Sequence, residues 1–174
     1  MPTGVADLMQ GTILDADSFD RGDLDTAALD NALDRWTHHR STRSHEVVDR
    51  IEGCEVVVTN KVIIDAAAMQ STALKLIVVA ATGTNNIDLT AAKQRGITVC
   101  NVRDYASGAV SQHVFSLLLA LVSRLGDYTQ AVRAGRWQDS KVFCLLDYPI
   151  RELDGITLGI IGYGNLGRRV EQIA

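Results

Sequence analysis

The stretch Gly155-Ile-Thr-Leu-Gly-Ile-Ile-Gly-Tyr-Gly-Asn-Leu-Gly167 decides the fold of this chain. An apolar run at 156–161 leads directly into Gly162-x-Gly164-x-x-Gly167, and a helix-like segment follows. A buried strand, a tight turn and a helix start, in that order, are the context that a dinucleotide-binding fingerprint requires. Gly162 allows the turn, Gly164 lets a pyrophosphate approach the backbone, and Gly167 lets helix and strand pack closely. The sequence therefore predicts a strand at 156–161 and a nucleotide site at the helix start.

A glycine-rich turn that binds nothing is the alternative, because glycine is common and such motifs have false positives. An acidic residue about 20 positions after the fingerprint should hold the ribose hydroxyls. The sequence ends at Ala174, before that position. The nucleotide interpretation therefore depends on what the rest of the chain indicates.

Composition and charge narrow the class of protein. With 47% hydrophobic and 22% charged residues, the 174-residue chain can build an ordinary globular core. A net charge of −4 gives no electrostatic support for binding nucleic acid or an anionic membrane. Cys54, Cys100 and Cys144 are widely spaced and fit reduced thiols better than disulfides or a zinc site. No secretory signal is visible, so we expect a cytoplasmic protein. We also expect no metal, because no carboxylate or thiol cluster accompanies the histidines.

Ahead of the fingerprint, short apolar strands alternate with helical patterns. Strands are predicted at 12–14, 55–59, 76–81 and 97–100, and helices at 24–36, 44–52, 65–69 and 88–95. Ser44 and Asp88 are predicted N-caps. Continuous apolar strands favour a parallel sheet covered on both faces, in which ligands bind beyond the carboxyl ends of the strands. Asn60, Lys61 and the turn at 82–86 lie at such ends.

A long helix is predicted at 107–125 and a shorter one at 127–134, because apolar residues recur there at helical spacing. We expect one α/β unit at 1–104 and a second unit at 105–174. A doubly wound nucleotide domain needs two βαβαβ halves, and the second unit contains only the start of one. Either the chain is an N-terminal fragment of a longer protein or its second domain cannot close, and we expect the fragment.

Several stretches taken together resemble the NAD-dependent D-isomer-specific 2-hydroxyacid dehydrogenases, and within that family the glycerate dehydrogenase (hydroxypyruvate reductase) branch most. The resemblance runs from about Glu55 to the last residue. The stretches that carry it are residues 60–61, 81–88, 96–102, 110–113, 143–150 and 153–167. Arg103 and Asp104 depart from the family, since many members have Pro-Gly at these two positions.

The resemblance implies a flavodoxin-like parallel-sheet substrate domain at 1–104. Interdomain helices and the first βα unit of a Rossmann NAD-binding domain would follow at 105–174. NADH would reduce a small 2-oxo acid of the hydroxypyruvate or glyoxylate type to the D-2-hydroxy acid. The Arg, Glu and His that catalyse this reaction in the family lie downstream of the fingerprint, so we expect the 174 residues alone to be inactive.

Two expectations about partners follow from the same resemblance. One is a homodimer formed through the helices of residues 107–134 and the NAD domain. The other, as an alternative to an enzyme, is a non-catalytic NAD(H)-binding or protein-interaction scaffold of the same fold. The downstream sequence would distinguish the enzyme from the scaffold.

Site residues are carried over from the family position by position. The turn at 82–84 matches the one whose backbone N–H groups face the substrate carboxylate. The residues that match the substrate site are Asn60, Lys61, Thr82, Gly83 and Thr84. The residues that match the cofactor site are Val110, beside the nicotinamide, and Gly162, Gly164, Asn165, Leu166 and Gly167, around the pyrophosphate.

Three further groups have a plainer interpretation. On position alone, Lys61 is as readily a solvated lysine as a cleft residue. We expect His113, on the long helix, to be a hydrogen-bonded histidine and not a catalytic acid, because a catalytic histidine needs an orienting partner. Asp15, Asp17 and Asp20 read as a solvated loop, since the bidentate Glu of a calcium loop is missing.

Overall fold

The computed structural model describes residues 8–70 and 73–174, which form two compact units. The division falls between Arg103 and Asp104. We call residues 1–103 the N-terminal unit and residues 104–174 the C-terminal unit.

The N-terminal unit is built on a five-stranded parallel sheet. Its strands are β1 (Gln10–Ile13), β2 (Arg35–His38), β3 (Val56–Thr59), β4 (Leu76–Val79) and β5 (Thr98–Asn101). The order across the sheet is β2-β1-β3-β4-β5, and all four pairings are parallel. This 2-1-3-4-5 order is that of flavodoxin-like doubly wound sheets, so the predicted fold class is confirmed.

The central strands carry the hydrophobic core. All four residues of β3 are buried, and Val57 pairs with Ile77 of β4 at positions with no exposed surface. Leu14 and Ile51 pack into the same cluster. Burying each such side chain contributes about 1.5–3 kcal/mol. The edge strands β2 and β5 are mostly exposed or half-buried, which explains why their sequences are less apolar.

Three helices flank the strands: α1 (Ala27–Asp30), α2 (Val47–Ile51) and α3 (Leu89–Gln94). Asp88 caps α3 as predicted, because its carboxylate accepts the Ala91 N–H at 2.9 Å. The predicted Ser44 cap is wrong: Ser44 begins a 3-10 turn, and Arg43 occupies the cap position. The Glu46 carboxylate accepts the Arg43 N–H at 2.7 Å and so secures this start instead.

The helix predicted at 24–36 is wrong except at residues 27–30. Only α1 is helical, and Trp36 lies on strand β2. A Cβ built on Gly11 of β1 would lie 2.6 Å from Leu33 and 2.6 Å from Trp36. The missing side chain at Gly11 lets both residues pack directly over β1, so tertiary packing overrides the helical spacing.

The short helix predicted at 65–69 is also absent, and turns take its place. The Asp65 carboxylate accepts the Ala68 N–H at 2.9 Å, which closes a local turn. Ala68 and Met69 are nevertheless buried in the core. The apolar pattern therefore located a buried segment correctly but not its backbone conformation.

The C-terminal unit contains α4 (Ser107–Val122), α5 (Leu125–Arg133) and α6 (Asn165–Ile173). The two helices predicted at 107–125 and 127–134 correspond to α4 and α5. The strand predicted at 156–161 is wrong: this segment pairs with no strand in the part of the chain that the structure describes. Ile156 is half-exposed and Ile161 fully exposed. A strand requires a hydrogen-bonded neighbour, and the described residues of this unit offer none.

Of the described residues, no single helix has the length and apolar character needed to cross a membrane. Helices α4 and α5 meet that test only when they are taken together, and they are bent by 60° at the break between them.

We expect replacement of the α3 cap, Asp88→Ala, to lower the free energy of unfolding by about 1 kcal/mol, because the Ala91 N–H loses its acceptor. Asp88→Ser should retain most of the stability, since a hydroxyl can also cap. Urea unfolding followed by circular dichroism measures both variants. Equal stability of wild type and Asp88→Ala would contradict the capping role.

Candidate functional site

The predicted substrate residues lie at one edge of the sheet. Asn60 and Lys61 directly follow β3, and the turn at 82–84 comes shortly after β4. Because β3 and β4 are parallel neighbours in register from Val56↔Leu76 to Thr59↔Val79, these two loops lie side by side. The Asn86 side-chain amide joins them by donating to the carbonyl of Val62 at 3.0 Å.

Asp15 lies at the same edge, and the sequence interpretation of this residue is wrong. It is buried rather than solvated, with 6% of its surface exposed. Its Oδ1 accepts the Thr59 hydroxyl at 3.0 Å and the Asn60 N–H at 2.9 Å. Its Oδ2 accepts the Lys61 N–H at 2.7 Å and the Ser18 hydroxyl at 3.1 Å. Four donors offset the cost of burying the carboxylate.

The signal that could have identified Asp15 was its place in the chain. It stands two residues after the end of β1, the strand between β2 and β3, so its side chain can reach the loop that follows β3. The charge pattern alone grouped it with Asp17 and Asp20, because three acidic residues in six positions resemble a surface loop. Only pairing of β1 with β3 separates Asp15 from the other two.

Asn60 and Lys61 differ in what remains available to a ligand. The Asn60 amide donates to the Ser18 carbonyl at 3.3 Å and to its hydroxyl at 3.1 Å, so its NH₂ group is already engaged. The Lys61 side chain is exposed. It lines an open cavity of about 320 Å³ together with Asp15, Ser41, Thr42, Ser44, Val62 and Ile63.

Hydrogen bonds within the unit engage two carbonyl groups of the turn at 82–84. The Thr82 carbonyl accepts the Asn101 side-chain amide at 2.7 Å, and the Thr84 carbonyl accepts the Ile87 N–H at 3.0 Å. Among the residues that the structure describes, the N–H groups of Thr82, Gly83 and Thr84 have no protein acceptor. Three successive N–H donors of this kind can bind an anion without adding charge to the protein.

The glycine-rich loop of the C-terminal unit has the backbone that the fingerprint predicts. Gly162 has a φ of +93°, which glycine adopts without strain. A Cβ on Gly167 would lie 2.3 Å from the Gly162 carbonyl oxygen, so only glycine fits. Gly164 precedes the first residue of α6 in an extended conformation. Asn165 and Leu166 are exposed, and their N–H groups have no acceptor among the described residues.

Polar contacts fix the side chains around this loop. The Asn165 amide donates to the Asp104 carboxylate, and its Oδ1 accepts from Arg168 Nη2 at 2.7 Å. The Tyr163 hydroxyl donates to Glu171, and this hydrogen bond raises the pKa of Tyr163. This contact joins Tyr163, which lies between Gly162 and Gly164, to Glu171 on α6.

Val110 and His113 lie on α4. Val110 is 38% exposed, and the His113 side chain is exposed as well. Across residues 8–70 and 73–174 the structure contains no group of three His, Cys, Asp or Glu side chains that could hold a metal ion.

The chain belongs to the D-isomer specific 2-hydroxyacid dehydrogenase family, whose catalytic-domain model matches residues 16–161. It is 44% identical to the glycerate dehydrogenase of Methylorubrum extorquens over 158 residues. This match covers 89% of this chain and 50% of that protein. It is 34% identical over 169 residues to the hydroxypyruvate reductase of Blautia hydrogenotrophica, covering 95% of this chain and 52% of the relative.

The fold is similar to that of the D-lactate dehydrogenase from Aquifex aeolicus, solved with NAD and lactic acid. The TM-score is 0.74 at 25% identity, over 94% of this chain and 47% of the other. The chain thus spans about half the length of the curated relatives it matches.

Replacement of the buried carboxylate, Asp15→Ala, should lower the free energy of unfolding by about 3 kcal/mol, because it leaves buried donors without an acceptor. Asp17→Ala is the matched control, since Asp17 makes only an exposed ion pair with Arg40 that contributes about 0–1 kcal/mol. Urea unfolding compares the two. Equal losses would show that the Asp15 network does not hold the strand ends together.

Replacement of the third fingerprint glycine, Gly167→Ala, should destabilise the packing of α6 by about 1–3 kcal/mol, because the new methyl group overlaps the Gly162 carbonyl. Gly159→Ala is the control, since a Cβ at that position meets nothing within 4 Å. Amide hydrogen exchange in α6 reports the effect. Faster exchange in the Gly159 variant than in the Gly167 variant would contradict the close approach.

Proposed function

We propose that this chain supplies the substrate-binding edge and the dinucleotide loop of an NAD-dependent D-2-hydroxyacid dehydrogenase. The substrate is a small 2-oxo acid of the hydroxypyruvate or glyoxylate type, which is reduced to the D-2-hydroxy acid. The observation that carries the proposal is the row of free N–H groups at 82–84, at the same edge of the sheet as Lys61. Family membership and the similarity to a glycerate dehydrogenase support the choice of reaction.

The turn binds the substrate carboxylate through its backbone. The N–H groups of Thr82, Gly83 and Thr84 donate to the carboxylate oxygens and add no net charge. The Lys61 ammonium attracts the acid to this edge and pairs with its negative charge. Asp15 keeps the Lys61 backbone in place, because it accepts the Lys61 N–H at 2.7 Å. Asn60, whose amide is engaged with Ser18, shapes the edge without holding the ligand itself.

The fingerprint loop binds the pyrophosphate of NAD. Gly162, Gly164 and Gly167 would leave room for the phosphates, and the first-turn N–H groups at Asn165 and Leu166 would donate to them. The positive end of the α6 dipole would favour the bound charge. Val110 would pack beside the nicotinamide ring, as the family resemblance implies. When bound, NADH supplies the hydride. The NAD seen in the Aquifex D-lactate dehydrogenase supports this choice of cofactor.

This chain binds and orients, while proton transfer belongs to the Arg, Glu and His that the family places after the fingerprint. We therefore propose that the isolated 174 residues do not turn over substrate. Helices α4 and α5 contribute to a homodimer, and the exposed Leu117, Leu121 and Leu125 support this surface. Three free thiols fit a reducing compartment, and we propose the cytoplasm.

The substrate proposal is tested by titrating hydroxypyruvate into the ¹⁵N-labelled chain. We expect the largest amide shifts at 82–84 and at Lys61. Lys61→Ala should weaken binding about tenfold, because a charge-assisted contact is lost. Lys93→Ala, on α3, removes the same charge elsewhere and should bind as wild type does. Shifts confined to other parts of the sheet, or equal weakening by both variants, would contradict the site. An NADH oxidation assay on the same samples should show no turnover.

A further inference from the structure

Asp104 has a backbone that an aspartate does not adopt without cost. Its φ is +58°, in the left-handed region that favours glycine. Such a conformation persists only when neighbouring contacts hold it. The contact in this structure is the hydrogen bond that the Asp104 carboxylate accepts from the Asn165 side-chain amide. A strained residue is therefore joined directly to the glycine-rich loop.

Asn165 is held from both ends of its amide. Its NH₂ group donates to Asp104, and its carbonyl oxygen accepts from the Arg168 guanidinium at 2.7 Å. An inverted amide would point NH₂ at a donor and oxygen at an acceptor, so only one orientation satisfies both neighbours. Asn165 is also the first residue of α6, directly after Gly164. Fixing its side chain restrains the first turn of the helix.

We infer that Asp104 is a positioning residue for the dinucleotide loop: by holding the Asn165 amide, it keeps the first-turn N–H groups of α6 aimed at the pyrophosphate. The inference rests on the nucleotide-binding role proposed above and deepens it. Asp104 does not touch the cofactor itself. The Arg168 guanidinium, on the other side of Asn165, offsets the negative charge that Asp104 brings near the phosphates.

Energetics separate this role from ordinary stabilisation. All three side chains are exposed, so the hydrogen bonds between them contribute little to folding, while the left-handed backbone of Asp104 opposes it. Removing the carboxylate and the strain together should leave the fold as stable as before. The fold does not need this interaction for stability, but the interaction fixes a binding loop. We therefore expect its loss to weaken ligand binding.

Arg124 provides a matched control. It is the other non-glycine residue with positive φ in the described part of the chain, at +54°. Its side chain pairs with Asp127 of α5 at 2.6 Å and lies 5.7 Å from the centre of the Tyr148 ring, and neither partner belongs to the glycine-rich loop. Arg124→Gly therefore relieves the same kind of strain in the same unit without touching Asn165.

The test combines NADH titration, followed by the amide resonances of residues 162–168, with thermal unfolding of the whole chain. Asp104→Gly should raise the Kd for NADH about fivefold, the loss expected for one hydrogen bond, with Tm unchanged or higher. Asp104→Asn retains an acceptor and tolerates positive φ, so it should restore the wild-type Kd. Arg124→Gly should leave the Kd unchanged.

Two outcomes overturn the inference on its own: wild-type affinity in Asp104→Gly, or a loss of affinity that Asp104→Asn shares and that tracks a fall in Tm. If the loop resonances of the wild type do not respond to NADH, the nucleotide-binding proposal is contradicted. This inference, which rests on that proposal, is then contradicted as well. The failures are distinguishable because the first two leave wild-type binding intact.

Discussion

The Asp15 carboxylate is the interaction on which the candidate substrate edge depends. Parallel strands end side by side, but their loops are free to diverge unless something ties them together. Asp15, just beyond β1, accepts both backbone N–H groups that follow β3 and the Thr59 hydroxyl. Because an unpaired buried carboxylate is costly, the edge has one arrangement that satisfies it. Lys61 thereby acquires a defined starting direction even though its side chain is exposed.

Much of the N-terminal unit could be predicted from the sequence, because its central strands are continuous apolar runs. The runs at 55–59 and 76–81 contain β3 and β4, and Asp88 caps α3 as its position suggests. These features are local and can be recognised in the sequence. Burial on both faces requires a continuous apolar run, and a helix cap requires a short polar side chain just before the helix. The strand-end positions of Asn60 and of the 82–84 turn followed from them.

What could not be predicted depends on contacts between distant residues. Trp36 lies on β2 because Gly11, 25 positions earlier, leaves space over β1. The helical spacing between Leu33 and Trp36 contains no information about that space. The apolar run at 156–161 is a second case, since an apolar segment becomes a strand only beside a partner. The buried role of Asp15 is a third, because strand order decides which loop an aspartate can reach.

Both units have free backbone N–H groups that suit an anion, but these groups lie in different structural settings. At 82–84 free N–H groups follow a strand, and at Asn165 they begin a helix. The carboxylates named at the two places are engaged: Asp15 by its four donors, Asp104 by the Asn165 amide and Glu171 by the Tyr163 hydroxyl. Donors without net charge bind carboxylate or phosphate without making the free protein strongly basic. Backbone donors of this kind are therefore compatible with an overall charge of −4.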